Sequence, residues 1–93
     1  MITVIKKGGE VEAFNLNKIK KSLVSVIERT DLSQEKKNEI VEKITKKILK
    51  FAKRRKEIFT SEIEALILME LEKECSQAMK IWREYRLAKV ENP

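Results

Sequence analysis

Residues 2–19 read ITVIKKGGEVEAFNLNKI, and this stretch decides how the fold begins. Its apolar residues predict two short strands, Ile2–Lys6 and Glu10–Phe14, and in the second of them Val11 alternates with acidic neighbours. Lys7-Gly8-Gly9 lies between the strands, and glycine supplies the positive φ that a tight hairpin turn needs. A two-stranded hairpin is barely stable alone, so helices from the rest of the chain must cover it.

Helical patterns follow the hairpin directly. Asn15 is predicted to cap the first helix, because its side chain can accept a hydrogen bond from an exposed N–H of the first turn. Ser33 is predicted to cap a second helix, which closes in the basic run Lys53–Lys56, where cations suit the negative end of the helix dipole. One apolar stripe with helical spacing marks the buried face of the first helix: Leu16, Ile19, Leu23, Val26 and Ile27.

The second half of the chain predicts a third strand and two further helices. Glu57–Phe59 fits a single-bridge strand, Ser61 with Glu64 fits a capping box at the start of the third helix, and Ser76 begins the last helix. The predicted order is ββααβαα. It indicates an α+β, mainly α fold in which a four-helix bundle is capped by a small three-stranded β-sheet. The length of 93 residues predicts a single domain over residues 1–93.

The composition excludes several classes of protein. Hydrophobic residues make up 42% of the chain and charged residues 39%, a balance typical of globular rather than disordered proteins. No apolar run approaches the roughly 20 residues of a membrane span, and the first residues lack the apolar core of a signal peptide. Cys75 has no second Cys for a disulfide and no His with which to share a metal. We therefore expect a cytoplasmic protein without a membrane or metal site.

Two features of the sequence argue against an enzyme, and a third, the net charge, argues for an anionic partner. The chain contains no His, which is the usual general acid or base near neutral pH. It also contains no Gly-x-x-x-x-Gly-Lys-Ser/Thr loop of the kind that cradles phosphates in ATPases. The formal net charge of +6 favours a nucleotide, a nucleic acid or an acidic protein as partner.

The segment Val4–Ile19 combines a basic pair, a Gly turn, an acid on the returning strand, an aromatic residue, a capping Asn and a Lys at the helix start. In this combination it resembles the ATP-cone, the nucleotide-sensing regulatory domain at the N-terminus of many ribonucleotide reductases and in a zinc-ribbon repressor of reductase genes. Phe59–Ile63 is similar to the second signature of that family. The resemblance covers nearly the whole chain and implies ATP or dATP as the ligand.

The resemblance implies that the nucleotide lies against the hairpin and the starts of two helices, and the residue types suit that role. A triphosphate needs several cations and exposed helix-start N–H groups, whereas adenine needs a flat apolar slot with hydrogen bonds at its edge. The predicted phosphate contacts are Lys6, Lys7, Lys18 and Thr60. The predicted walls of the adenine slot are Val4, Phe14, Ile19 and Ile63, and the predicted contacts of its edge are Glu12 and Asn15.

Two more positions follow from the resemblance. Glu64 comes beside the expected phosphates, and a carboxylate there repels phosphate unless Mg²⁺ lies between them. A basic residue of the last helix, Arg83 or Arg86, corresponds to a late basic residue that reaches the phosphates in the family.

Each of these residues also has a plainer explanation as an exposed charge, a helix cap or a core residue, and only their joint occurrence favours a site. The favoured hypothesis is a regulatory domain that acts in trans on a ribonucleotide reductase or another protein, or through self-association. The alternative is a small basic nucleic-acid-binding or transcription-associated protein, suggested by the net charge and by the stretch 50–56. The sequence shows no zinc ribbon and no evident recognition helix for that role.

Overall fold

The sheet has three short strands, and it places a strand from the second half of the chain beside the N-terminal hairpin. A computed structural model describes the backbone of residues 2–91 and the side chains of residues 2–85. The strands are β1 (Thr3–Ile5), β2 (Val11–Ala13) and β3 (Glu57–Phe59), in the spatial order β2-β1-β3. β2 pairs with β1 in antiparallel register, and β3 pairs with β1 in parallel register over all three residues. The third strand is therefore confirmed, with a longer pairing than the single bridge predicted.

The hairpin strands are one residue shorter at each end than the sequence predicts, although the Phe14 N–H still donates to the Ile2 carbonyl at 3.0 Å. Lys6 N–H donates to the Glu10 carbonyl at 2.8 Å, and Gly9 N–H donates to the Lys6 carbonyl at 2.9 Å, which closes the turn. Gly9 has φ of +88°, as predicted for a tight hairpin turn.

Four helices make up most of the remaining chain: α1 (Leu16–Ile27), α2 (Gln34–Arg55), α3 (Thr60–Glu74) and α4 (Ser76–Glu91). The predicted N-caps of α1 and α2 are confirmed. Asn15 Oδ1 accepts from Lys18 N at 3.3 Å, and Ser33 Oγ accepts from Lys36 N at 3.2 Å. The α+β, mainly α class with the order ββααβαα is confirmed as well.

The predicted capping box of Ser61 and Glu64 is wrong. β3 continues directly into α3, so Phe59 is the N-cap and Ser61 already lies inside the helix. Glu62 Oε1 accepts from Phe59 N at 3.0 Å, and this bond satisfies a backbone donor at the strand–helix junction. The pairing of β3 with β1 therefore sets where α3 begins.

The core lies between the four helices and the inner face of the sheet. Val4 and Ile58, opposite each other on β1 and β3, are the sheet residues that reach it. The helices contribute most of the remaining buried side chains, with Leu23, Ile44, Ile48, Leu71 and Ala78 fully buried. In residues 2–91, no helix combines the length and the apolar character that a membrane crossing requires.

Candidate functional site

The hairpin turn carries two lysines that each lie beside a carboxylate. Lys6 Nζ is 3.3 Å from Glu12 Oε2, on the returning strand. Lys7 Nζ is 3.8 Å from Glu64 Oε2, on the first two turns of α3. The Lys7 side chain is 70% exposed, so its charge remains accessible from solvent. The turn thus forms a charged surface in which both lysine amines are within reach of a ligand.

The start of α3 lies at the same end of the sheet as this turn. Because β3 is parallel to β1 with Phe59 opposite Ile5, both strands end at the same level, one followed by the turn and the other by α3. The Thr60 hydroxyl, at the first position of α3, donates to the Ile5 carbonyl at 3.4 Å. The fold therefore brings together five of the predicted site residues: Lys6, Lys7, Glu12, Thr60 and Glu64.

The start of α1 lies at the other end of the same strands. Ala13 is opposite Thr3 in the antiparallel pair, so Asn15 follows the level at which β1 begins. With about 3.3 Å per strand residue, the levels of Thr3 and Lys6 are roughly 10 Å apart. Within the described residues, the Lys18 amine makes no ion pair and no hydrogen bond. A ligand that contacts both the turn and Lys18 must therefore extend along the hairpin.

The four predicted walls of the adenine slot differ in burial. Val4 and Ile63 are 8% and 7% exposed and already belong to the core. Phe14 and Ile19 are half-buried and pack against the same core, so these two offer more apolar surface to a ligand. Glu12 is directly opposite Val4, and opposed residues share one face of a sheet. Glu12 is therefore the carboxylate on the sheet face that carries Val4.

Two predictions from the sequence concern a phosphate contact from Arg86 and a bound Mg²⁺ ion. Arg86 belongs to α4, but its side chain lies outside the described side chains. Among residues 2–85, no group of three or more Cys, Asp or Glu side chains is arranged to hold a metal ion.

Sequence reasoning missed a groove between α1 and α2. This cavity of about 290 Å³ has an apolar base of Val24, Ile27 and Val41. No predicted site residue lines it, and at its rim Lys37 Nζ already donates to the Glu28 carbonyl at 3.2 Å. The only sequence signal for it is Val24, an apolar residue outside the buried stripe of α1 that is 38% exposed.

Comparison with known protein families gives one match. The family model described as "ATP cone domain" matches residues 2–88 of the chain. The match covers all three strands, the first three helices and most of α4. No curated protein sequence is significantly similar to the chain.

Proposed function

Because the chain belongs to the ATP-cone family, we propose that it is a non-catalytic sensor of ATP or dATP that uses the hairpin turn, the start of α1 and the start of α3. ATP-cone domains bind these nucleotides as effectors in regulatory roles. The observation that carries the proposal is the position of Lys6 and Lys7 next to the N-terminus of α3. Cations combined with a helix start suit a polyphosphate.

The phosphates would replace the carboxylates that now lie beside the two lysines. The Lys6–Glu12 pair is exposed on both sides, at 46% and 43%, and such a pair contributes about 0–1 kcal/mol, so exchanging its carboxylate for a phosphate costs little. Lys6 and Lys7 bind phosphate in this proposal, with the Thr60 hydroxyl beside them and Lys18 approaching from α1. Arg86 of α4 is the proposed late basic contact.

The base would lie along the inner edge of the hairpin, against the partly exposed apolar side chains. Phe14 and Ile19 form its wall, with the small exposed parts of Val4 and Ile63 behind them. Glu12 and Asn15 bond the edge of the adenine in this proposal. The roughly 10 Å between the levels of Asn15 and Lys6 suits a ligand with a base at one end and phosphates at the other.

Glu64 sets a condition on this binding. Its carboxylate is 3.8 Å from the Lys7 amine, so phosphates at Lys7 lie close to a negative charge. We propose that Mg²⁺ brought by the nucleotide lies between Glu64 and the phosphates, because carboxylate and phosphate oxygens are the ligands that Mg²⁺ prefers.

The nucleotide would act by stabilising one arrangement or association state of the domain over another, which is what an effector must do to regulate. By family, the regulated protein in this proposal is a ribonucleotide reductase or another enzyme contacted in trans, or a second copy of the chain. The cytoplasm, as the place of action, stays a prediction from the sequence.

Calorimetric titration with ATP, dATP and ADP tests the proposal. We expect ATP or dATP to bind with micromolar affinity, which corresponds to about 8 kcal/mol. The double variant Lys6→Ala, Lys18→Ala is the matched negative control. If none of the three nucleotides binds below about millimolar concentration, the proposal is wrong. Release of inorganic phosphate by the wild type but not by this variant would contradict the non-catalytic role.

A further inference from the structure

Two rows of cations run along α2, and one of them is already neutralised. The inner basic row consists of Lys43, Lys47 and Arg55, which face α3. Lys47 Nζ is 2.9 Å from Glu70 Oε2, and Arg55 Nη1 is 3.2 Å from Glu62 Oε2. Lys43 pairs with Glu74. From pair to pair, the residue number rises along α2 by as much as it falls along α3. The two helices are therefore antiparallel and in register.

The outer basic row consists of Lys46, Lys50 and Lys53, at helical spacings of four and three residues. This spacing places the three lysines on one side of α2, over roughly 10 Å of helix. All three are exposed, and none makes an ion pair with another described residue. Half-buried Leu49 lies one turn from both Lys46 and Lys53 on this side.

We propose that the outer basic row is the surface through which this domain binds an acidic helix of a partner protein. This rests on the proposed regulatory function, in which the domain acts on a protein in trans. The inner row shows that glutamates on an antiparallel helix can match lysines of α2 four residues apart, as Glu70 and Glu74 do. The outer row presents lysine amines at a similar spacing on another side of α2, with Leu49 as an apolar contact.

The charge and shape of the row favour a protein over a nucleic acid. Affinity for duplex DNA depends on the number of phosphates that a protein neutralises, about six to ten in a protein with a steep salt dependence, whereas this row provides three lysines, with Arg54 beside them. Phe51, the aromatic residue within α2, is half-buried, and the Arg55 guanidinium lies 5.5 Å from its ring centre. It is thus covered rather than open for a base to stack on it.

NMR titration of the full chain tests the proposal with a defined probe. The probe is an alanine-based helical peptide with glutamates along one side at the spacing of the row and a leucine beside them. The control peptide has the same composition with its glutamates spread around the helix. We expect the first peptide to shift the amide signals of residues 46–54, and the second to bind more weakly.

The variant Lys46→Gln, Lys50→Gln, Lys53→Gln should weaken peptide binding about tenfold, because each exposed pair contributes a factor of about two. The matched control Lys21→Gln, Arg29→Gln, Lys80→Gln removes three exposed charges elsewhere and should bind like the wild type. Equal weakening in both variants, or equal binding of both peptides, overturns the proposal. Tighter binding of a DNA duplex or of phosphatidylglycerol vesicles by the same residues, at equal charge concentration, also overturns it.

ATP titration of the same proteins separates this surface from the nucleotide site. Both triple variants should bind ATP as the wild type does, since none of the six residues belongs to the proposed site. A wild type that binds ATP but not the peptide overturns the docking surface alone. A wild type that binds the peptide but not ATP contradicts the proposed nucleotide function and leaves the surface standing.

Discussion

The hairpin turn and the interface between α2 and α3 both pair lysines with glutamates, yet the pairs differ in burial. At the turn, Lys6 and Glu12 are 3.3 Å apart with side chains 46% and 43% exposed, and Lys7, 3.8 Å from Glu64, is 70% exposed. At the interface, Lys47 and Glu70 are 2.9 Å apart, and only 7% of the Glu70 side chain is exposed. Lys73 Nζ, at 4.0 Å, is a second cation beside the Glu70 carboxylate.

This difference shows how one pair of residue types can stabilise a fold in one place and remain accessible to a ligand in another. A buried carboxylate needs a cation beside it, because an unpaired buried charge is strongly destabilising. An exposed lysine in such a pair is screened by water and gains little from its partner, so its charge is available to a ligand. The lysines of the turn can therefore exchange a carboxylate for a ligand, whereas the pairs at the α2–α3 interface stabilise the fold.

The largest expected effect comes from removing the cations of the turn. Lys6→Ala with Lys7→Ala should lower ATP affinity about 100-fold, because two charge-assisted hydrogen bonds are lost at about 1.5 kcal/mol each. The free energy of unfolding should change by less than about 0.5 kcal/mol, since both lysines are exposed. Calorimetry and urea denaturation measure the two quantities. The control Lys20→Ala, Lys21→Ala carries the same charge change, and an equal loss of ATP affinity in it would contradict the site.

Removing one cation of the α2–α3 interface should have the opposite effect: it should lower the free energy of unfolding and leave ATP affinity nearly unchanged. Lys47→Ala leaves Glu70 buried beside Lys73 alone, and should lower the free energy of unfolding by about 1–2 kcal/mol. This is less than for a fully buried pair, because Lys47 is itself 45% exposed. Lys46→Ala, its exposed neighbour, is the control and should be nearly neutral. If urea denaturation gives the two variants equal free energies of unfolding, the burial of Glu70 does not make its pair with Lys47 stabilising.

Glu64→Gln tests the carboxylate that faces Lys7. Without Mg²⁺ the variant should bind ATP about threefold more tightly, because it removes a repulsion of about 0.7 kcal/mol between the phosphates and the half-buried Glu64 carboxylate. With Mg²⁺ the gain should disappear, since the cation already screens the carboxylate. Calorimetry with EDTA or with Mg²⁺ measures both cases, and Glu57→Gln, which removes an exposed charge from β3, is the control. Weaker binding of the variant without Mg²⁺ would show that Glu64 does not repel the nucleotide.

The smallest effect concerns the pH dependence of the interface. The hydrogen bond from Lys43 holds the pKa of Glu74 below its ordinary value of 4.5, and the bond to Glu74 raises the pKa of Lys43 above 10.5. The stabilisation from Glu74 is thus present above pH 4.5 and is lost as the pH falls through the lowered pKa. The contribution of Lys43 is present below pH 10.5 and is lost as the pH rises through the raised pKa.

Glu74→Gln should therefore flatten the acid limb of stability against pH. Urea denaturation between pH 7 and pH 3 measures this slope, and Glu72→Gln, an exposed neighbour on α3, is the control. An unchanged slope in Glu74→Gln would contradict the role of the pair.

Much of the fold could be predicted because its signals are local. Asn15 and Ser33 cap helices through contacts three residues away, and Gly9 forms its turn with its own neighbours. The capping box failed for a non-local reason: the pairing of β3 with β1, residues more than 50 positions apart, moved the start of α3 to Thr60. The site residues were chosen by type and by resemblance, and their nucleotide contacts stay predictions.

By itself, the sequence determined the order of the strands and helices, the caps of α1 and α2, and the family, because periodicity, turn chemistry and motifs depend on short stretches of chain. Only the tertiary structure decided which charges meet. It paired Lys7 with Glu64 and Lys47 with Glu70, left Lys46, Lys50 and Lys53 without an ion pair among the described residues, and set the starts of α1 and α3 at opposite ends of the hairpin. These outcomes depend on strand register and helix packing between distant segments, which no local pattern specifies.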